Sequence, residues 1–186
     1  MTSAYTIRTA SPGDIDCLAD IELRAAALFG DVLPEHVRTS VTPLGTLRRA
    51  LRSGMLLLAV DEEGRPVGFA LTERVSDTRV HLEELDVSPD HGRKGVGSML
   101  LAAVESRAAA QGFSEVTLTT FADLPWNAPF HQRRGFVAVV EGQLDAHLRE
   151  TLAQDAAHGL DGAERVAMRK YLPAVQLGHQ PDKPGV

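Results

Sequence analysis

The residues best suited to chemistry lie in two neighbouring groups of opposite charge. A strand-like segment carries three carboxylates, Glu83, Glu84 and Asp86. The loop that follows it, residues 92–97, reads GRKGVG and combines three glycines with two cations. A carboxylate can take a proton from an amine, and bare amides beside cations can bind an anion. The pattern indicates an anionic ligand held close to a site of proton transfer.

The glycine-rich loop runs directly into good helix formers, which predicts a helix that begins at Gly95. The first N–H groups of a helix have no acceptor within it and carry a partial positive charge. Gly92 and Gly97 would let an anion approach these amides, and Arg93 and Lys94 add charge. A pyrophosphate fits this pattern. The alternative is a solvated basic turn that only caps the helix.

Two other phosphate motifs do not fit this loop. The Walker pattern G-x-x-x-x-G-K-[ST] fails because Lys94 precedes Gly95 and Gly97. The dinucleotide fingerprint G-x-G-x-x-G fails because Leu100 occupies its third glycine position. Neither a nucleoside triphosphate nor NAD is therefore the favoured ligand.

The order of elements predicts how these residues are positioned. Alternating, β-branched segments predict a first strand, then a hairpin around residues 62–65, then the strand RVHLEELDVSP with the carboxylates. Antiparallel strands come first and a β-loop-α-β unit follows. The expected fold class is α/β, with a mixed, mostly antiparallel central sheet flanked by helices. The predicted helices are 11–29, 43–52, 95–112, a short one ending at 134, and 145–158, and the later strands are EVTLTTF, FVAVVE and ERVAMRKYL.

Composition sets the broad class. The chain has 186 residues, 44% hydrophobic and 24% charged, which predicts one domain over 1–172 and a flexible Pro- and Gly-containing tail, 173–186. The net charge of −6 argues against nucleic acid as a partner. With no long apolar run and no signal-like N-terminus, we expect a cytoplasmic protein with no membrane contact. Cys17 is expected to be a buried small residue, and the histidine spacing predicts no metal site.

Two longer runs, LEELDVSPDHGRKGVGSMLLAAVESRAAAQGF and VTLTTFADLPWNAPFHQRRGF, resemble the central motifs of the GNAT superfamily of N-acetyltransferases. The PWNAP turn is similar to a turn found in a bacterial branch of this superfamily. The resemblance spans residues 5–172 and implies a GNAT-like acyl-CoA N-acyltransferase fold, acetyl-CoA (coenzyme A) as acyl donor, no metal, and direct transfer to an amine. The family's loop, [QR]-x-x-G-x-[GA], matches at Gly95 and Gly97. Gly92 stands where Gln or Arg is usual, which removes a side chain but no amide.

The resemblance also implies which residues contact the cofactor. The amides from Arg93 to Ser98 would hold the pyrophosphate. A splay in the strand EELDV would free a backbone N–H for the thioester carbonyl, and pantetheine would pair with the same edge. Asn127 would bind pantetheine amides or cap the short helix, and Arg134 would approach the 3′-phosphate or lie in solvent. The expected cofactor-binding residues are Leu85, Asp86, Val87, Gly92, Arg93, Lys94, Gly95, Val96, Gly97, Ser98, Asn127, Phe130 and Arg134.

Two residues are candidates for catalysis, Glu84 as base and His131 as acid. Strand alternation places Glu84 and Asp86 on one face and Glu83 with Leu85 on the other, although a bulge would shift this phase. Glu84 ranks first as base, and the alternative is a solvated strand residue. Family members commonly carry a tyrosine where this chain has His131. His131 could protonate the leaving thiolate with a steep pH dependence near neutrality, or only pack against pantetheine.

The favoured function is N-acetyl transfer to a small-molecule amine, such as an amino acid, polyamine, amino sugar or antibiotic. One alternative is a protein or peptide N-acetyltransferase, and another is a non-catalytic acyl-CoA-binding sensor, which the missing tyrosine favours. Glu22, Arg24 and residues 29–40 are expected to shape the acceptor pocket. Residues 145–172 could form a homodimer interface, with a monomer as the alternative.

Overall fold

Seven strands form a single mixed sheet in the order β1-β2-β3-β4-β5-β7-β6. The computed structural model describes residues 4–160 and 162–173, so most of the predicted tail lies outside the described residues. Among the strands of the described residues, only β4 and β5 pair in parallel, and all other neighbours are antiparallel. This arrangement confirms the predicted fold class. The strands are β1 Thr6–Thr9, β2 Leu56–Val60, β3 Pro66–Arg74, β4 Arg79–Val87, β5 Glu115–Phe121, β6 Val137–Ala138 and β7 Arg165–Tyr171.

Helices cover both faces of the sheet, as the complete burial of β2 requires. Helices α1 and α3 contact each other over β3, whereas α4 crosses β2, β3 and β4 on the opposite face. In the described part of the chain, no helix combines the length and apolar character needed to cross a bilayer. The short helix α2 was not predicted from the sequence. The helices are α1 Ile15–Ala26, α2 Glu35–Arg38, α3 Leu44–Ser53, α4 Val96–Ala110, α5 Ala128–Gln132 and α6 Ala146–Ala157.

A capping box fixes the start of the first helical segment, as the sequence predicts. Ser11 is the N-cap, Pro12 lies in the first turn, and Asp14 accepts hydrogen bonds from the N–H and the hydroxyl of Ser11 at 2.7 Å. Arg8 of β1 donates both guanidinium NH groups to the Asp14 carboxylate, also at 2.7 Å. The pKa of Asp14 is lowered, chiefly by this Arg8 hydrogen bond. The helix start is thereby attached to the first strand.

The central strand β4 contains a bulge and then separates from β5. Its antiparallel register with β3 passes from Thr72↔Leu82 to Leu71↔Glu84, so Glu83 is the extra residue. Its parallel pairing with β5 stops at Leu82↔Leu118, although β4 continues to Val87. Beyond Leu82 the two strands diverge. This opening is the splay that the family resemblance implies.

The edge strand β6 is much shorter than the predicted strand FVAVVE. It covers only Val137–Ala138, and a 3-10 turn begins after Val140. Val139 still donates its N–H to the carbonyl of Ala167 at 2.9 Å, but the side chains of Val137 and Val140 are exposed. A short edge strand limits the backbone that is free to pair with another chain.

Candidate active site

The open edge of β4 presents backbone amides that the sheet does not use. Ser88 donates its N–H to the carbonyl of Val67 in β3 at 2.9 Å. Because N–H directions alternate along an antiparallel strand, the amides of Leu85 and Val87 point away from β3, toward the splay. The amide of Asp86 points toward β3. The amides of the open edge are therefore those of Leu85 and Val87, and the contact of the cofactor with Asp86 stays a prediction.

The start of α4 supplies a second set of free amides. Gly95 is the N-cap with φ 87°, and Arg93 also has a left-handed φ of 56°. The N–H of Met99 is the first to reach a helical acceptor, the carbonyl of Gly95 at 3.0 Å. The N–H groups of the three residues before it have no acceptor in the helix. These residues are Val96, Gly97 and Ser98.

Several of the expected cofactor residues lie against one another at this helix start. The Phe130 ring lies against Gly97, 3.5 Å from where a β-carbon would be, and a methyl of Val87 lies at 3.8 Å. Arg134 stacks on Phe130, with its guanidinium carbon 3.6 Å from the ring centroid, and donates its Nε–H to the hydroxyl of Ser98 at 3.1 Å. A cation is thus held beside the free amides of α4, which favours a negatively charged ligand.

Two residues directly before the basic loop, residues 92–97, attach it to the rest of the fold. Asp90 accepts a hydrogen bond from Arg24 of α1 at 2.5 Å, and His91 shares a hydrogen bond with the Tyr5 hydroxyl at 3.0 Å. Arg24 therefore contacts this loop rather than the acceptor face where the sequence placed it. Arg93 and Lys94 are exposed and form no ion pair with any residue in the described ranges. Their charges remain available to an anion.

Asn127 occupies the N-cap position of α5 but its side chain makes no capping hydrogen bond. It donates instead from Nδ2 to the hydroxyl of Thr120 in β5 at 2.9 Å. Its Oδ1 is buried and has no partner among the described residues. An unused buried acceptor is unfavourable unless a ligand donates to it. The capping alternative from the sequence is wrong for the side chain, and the ligand contact stays a prediction.

The bulge in β4 changes which carboxylates share a face. Leu85 and Val87 pack against the core, so Glu84 and Asp86 point to the face that carries α1. Glu83 was expected on the core side with Leu85. It instead faces the same side as Glu84, because the extra residue interrupts the alternation, and it hydrogen-bonds to Glu73 of β3.

The carboxylates on this face hold their protons to unusually high pH. Burial, followed by the nearby charge of Glu22, raises the pKa of Asp86 to about 8. Burial and then Asp86 raise the pKa of Glu84 well above its usual range. Desolvation and then the charge of Glu73 raise the pKa of Glu83 to about 7. The group can therefore exchange protons near neutral pH.

Glu22 joins this carboxylate group from α1. Both of its carboxylate oxygens accept from the N–H of Thr42, at 2.9 and 3.0 Å, and one accepts from the Thr42 hydroxyl at 3.0 Å. Burial raises its pKa as well. The sequence analysis placed Glu22 near the acceptor pocket. Its contact with the segment between α2 and α3 could not be predicted from any pattern in the sequence. That contact holds the carboxylate over β4.

His131 is buried between two aromatic rings rather than exposed to solvent. It is 6% exposed, and its ring centroid lies 5.0 Å from that of Phe130 and 5.6 Å from that of Phe136. Burial, and then the charge of Arg134, lower its pKa to about 4. The expected titration of His131 near neutrality is therefore wrong. A neutral imidazole can still donate an N–H, and its Nδ1 has no partner within the described chain.

An aromatic group borders the splay on the β5 side. Phe29, which follows α1, lies 5.7 Å from the ring of Phe121 and 6.1 Å from that of Trp126. Trp126 is 48% exposed, so it is not a core residue but part of a surface wall. Arg165 stacks on Phe121 at 4.8 Å. The acceptor face is thus bounded by carboxylates on β4 and by rings beside β5.

Metal and thiol chemistry find no support in the described ranges. No group of three or more His, Cys, Asp or Glu side chains within them could hold a metal ion. Cys17 is half-buried and donates its Sγ–H to the carbonyl of Asp14 at 2.9 Å. Burial raises the pKa of this thiol, which disfavours the reactive thiolate.

Comparison with known proteins decides the family. The sequence model described as the Acetyltransferase (GNAT) family matches residues 24–136. The chain belongs to this GNAT family. The GNAT chain is also 43% identical over 75 residues to a mycothiol acetyltransferase from Clavibacter michiganensis subsp. michiganensis. That match covers 40% of this chain but only 23% of the relative, so the chain spans less than a quarter of the relative's length.

Solved structures show the same GNAT fold. An N-acetylglutamate synthase from Neisseria gonorrhoeae superposes with a TM-score of 0.70 and 18% identity, covering 93% of this chain and 36% of that one. The PaiA N-acetyltransferase from Thermoplasma acidophilum superposes with a TM-score of 0.64 and 16% identity, covering 90% and 98%. At such identities the likeness concerns the fold of the GNAT chain and not its acceptor.

Proposed function

We propose that this GNAT protein is an acetyl-CoA-dependent N-acetyltransferase that transfers the acetyl group directly to the primary amine of a small molecule. The observation that carries the proposal is the row of unused amides that leads from the open edge of β4 to the first turn of α4. These donors match an extended ligand with amide groups at one end and a pyrophosphate at the other. Both structures compared above are described as complexes with coenzyme A.

The residues around these amides fit coenzyme A. Leu85 and Val87 offer N–H groups for pantetheine and the thioester carbonyl, and Asn127 offers its unused Oδ1 to a pantetheine amide. The first turn of α4, with Arg134 beside it, suits the pyrophosphate. Arg93 and Lys94 add exposed positive charge next to the same turn. Phe130 and Val87 line the apolar side of this path.

The carboxylates supply the proton acceptor that the reaction needs. Bound acetyl-CoA provides a thioester carbonyl carbon that an amine nitrogen can attack. The N–C bond forms, the C–S bond breaks, the nitrogen loses a proton and the sulfur gains one. An amine that arrives as ammonium must also lose a proton first, and Glu84 is our first choice to take it, with Asp86 beside it. Their raised pKa values suit a base that works at mildly alkaline pH.

His131 is our candidate for the group that stabilises the leaving sulfur. Because its pKa is low, the imidazole is neutral and would donate an N–H hydrogen bond to the thiolate, while water supplies the proton. Water alone is the alternative donor. This role would not add a titration between pH 6 and pH 8.

Thiol release and calorimetry test the proposal together. Purified chain is titrated with coenzyme A, and acetyl-CoA turnover is followed as free thiol with a panel of amines, amino acids and peptides. We expect saturable binding and amine-dependent release, with Glu84→Gln lowering kcat about 10²-fold at unchanged coenzyme A affinity. Glu62→Gln, a distant exposed carboxylate, is the matched control. Absence of binding at millimolar coenzyme A would refute the assignment.

One observation favours a second candidate, a non-catalytic acyl-CoA sensor. The buried His131 stands where family members commonly carry tyrosine. Tight coenzyme A binding with no release on any amine would support the sensor. Turnover confined to peptides would instead indicate a protein or peptide N-acetyltransferase.

A further inference from the structure

A polar cleft of about 250 Å³ lies next to the bulge of β4, between strands β3 and β4 and helix α6. We call it the distal cleft. It lies on the same side of the sheet as Glu84, because Glu83 lines it and the bulge turns both carboxylates to one face. The lining residues are Glu73, Glu83, His147, Glu150, Thr151 and Gln154.

The distal cleft has a hydrogen-bonding group without a partner. The Nε2 atom of His147 is buried and unpaired within the described chain, while its ring packs edge-on against His81 at 5.0 Å. His81 itself shares a hydrogen bond with Thr117 at 3.0 Å. His147 also lines the distal cleft, so its unpaired nitrogen lies close to the cavity. A bound ligand or water would satisfy it.

A row of neighbouring carboxyl groups runs from the reaction site toward the distal cleft. Asp86 and Glu84 lie under α1, Glu83 follows at the bulge, and Glu73 and Glu150 continue into the cleft. The Oδ2 atom of Asp86 is also buried and unpaired in the described residues. Both ends of this row of carboxyl groups thus have unused hydrogen-bonding capacity.

Arg165, whose positive charge acts on Glu84, is already engaged. Arg165 donates to the carboxylate of Asp155 on α6 and to the hydroxyl of Thr119. Both Arg165 and Asp155 are largely buried, so breaking this pair to bind a substrate carboxylate is unfavourable. A cation placed along this row would favour the ionised form of the carboxyl groups beside it, whereas a substrate carboxylate would find no unpaired cation there. The row therefore suits an acceptor with a second positive charge and disfavours one that carries its own carboxylate.

We propose that the acceptor is a linear diamine or polyamine. One amine reacts beside Glu84, while a second amine, as ammonium, lies in the distal cleft between Glu73 and Glu150. This inference rests on the proposed N-acetyltransferase function. It names a substrate class that the family membership leaves open.

Three matched acceptors test this class with the full chain and acetyl-CoA. Cadaverine carries two amines, pentylamine lacks the second, and lysine is cadaverine with an added carboxylate. We expect kcat/KM for cadaverine to exceed that of pentylamine and of lysine by at least about tenfold, the factor that corresponds to about 1.4 kcal/mol. Equal or higher values for pentylamine or lysine would overturn the inference and leave the N-acetyltransferase function standing. Coenzyme A binding without turnover on any amine would overturn both.

A variant in the distal cleft separates charge recognition from a structural effect. Glu150 is exposed on α6, so Glu150→Gln should fold normally. We expect it to lower the cadaverine-to-pentylamine ratio of kcat/KM at least about fivefold, through loss of one charge contact. Glu62→Gln, which removes the same charge far from the cleft, should leave the ratio unchanged. An unchanged ratio in Glu150→Gln would place the second ammonium elsewhere and contradict the inference.

Discussion

Asp86 and Glu84 bind protons in the folded protein at pH values where exposed carboxylates are ionised. Burial is the first cause for both groups, followed by the charge of Asp86 for Glu84 and by that of Glu22 for Asp86, because a nearby negative charge makes ionisation harder. A carboxylate of this kind is a stronger base than an exposed one once it is ionised. It also opposes folding as pH rises, since the unfolded chain ionises more easily.

Asp86→Asn should stabilise the protein at alkaline pH. The folded pKa of about 8 lies above the ordinary value, so wild-type stability falls as pH rises from about 4 to about 8. At pH 8.5 we expect a Tm gain of about 3 °C or more, which corresponds to about 1 kcal/mol for a chain of this size. At pH 5 the gain should shrink or vanish. Thermal melts across this range measure it.

The control for this stability change is Asp123→Asn, which removes an exposed carboxylate. Its Tm should follow that of the wild type at every pH. A pH-independent gain in Asp86→Asn would show that charge is not the cause.

His131→Ala should slow turnover without weakening the binding of coenzyme A. If the imidazole donates an N–H to sulfur, kcat falls about 10²-fold at saturating substrates, while coenzyme A affinity holds. Because the change also leaves a cavity, a melt must show that the variant is folded. His131→Tyr, which inserts the family's usual residue, should recover much of the lost rate. Full turnover in the alanine variant would remove His131 from the chemistry.

The sequence could predict residue types at the site better than their orientation. Local patterns brought forward Glu84 and the glycine-rich loop, and the family resemblance brought forward His131. The face of Glu83 depends on a bulge that forms in pairing with β3, and the low pKa of His131 depends on rings packed around it in the fold. The distal cleft was missed because Glu73 and α6 are far apart in the chain. Only the topology joins them.

At the scale of helices and strands, two glycines at the start of α4 differ in the backbone conformation that they adopt. Gly95 holds the left-handed N-cap, and nothing lies within 4 Å of where its β-carbon would be. Gly97 has no such conformation, and a β-carbon there would touch Phe130 at an ordinary 3.5 Å. The two glycines therefore serve different purposes within one loop.

Alanine at these two glycines should have opposite effects on stability. Gly95→Ala forces a β-carbon into a left-handed conformation and should destabilise by about 1 kcal/mol. Gly97→Ala gains helix propensity and should stabilise by about 0.5 kcal/mol or more. Denaturant unfolding of both variants without ligand measures the difference. A stabilised Gly95→Ala would contradict the left-handed N-cap.

Element boundaries were predictable where local chemistry sets them. The capping box at Ser11 and the N-cap Asp145 both mark helix starts that the structure has. The strand FVAVVE was predicted too long because β-propensity does not reveal that only two of its residues pair with β7. Pairing partners are a property of the whole sheet, which a local segment does not contain.

At the scale of the whole molecule, ligand binding should be visible as stability. A ligand present at 100 times its Kd stabilises the native state by about 2.7 kcal/mol. For this chain, coenzyme A should then raise Tm by roughly 8 °C. Pantetheine lacks the pyrophosphate and should give a smaller shift at the same concentration. Equal shifts would indicate that the start of α4 does not anchor the ligand.

A homodimer through residues 145–172 stays a prediction at this scale. Light scattering on the purified chain, with and without coenzyme A, tests it.

The short parallel contact between β4 and β5 has a mechanical consequence. In the described residues, the backbone pairing between the two halves of the sheet consists of four register pairs, Arg79↔Glu115 to Leu82↔Leu118. An acyl donor bound in the proposed way contacts β4 on one half of the sheet and Asn127 on the other, so it would hold the two halves together. Amide hydrogen exchange along the paired segment should therefore slow when the donor is bound, at positions that the ligand never contacts.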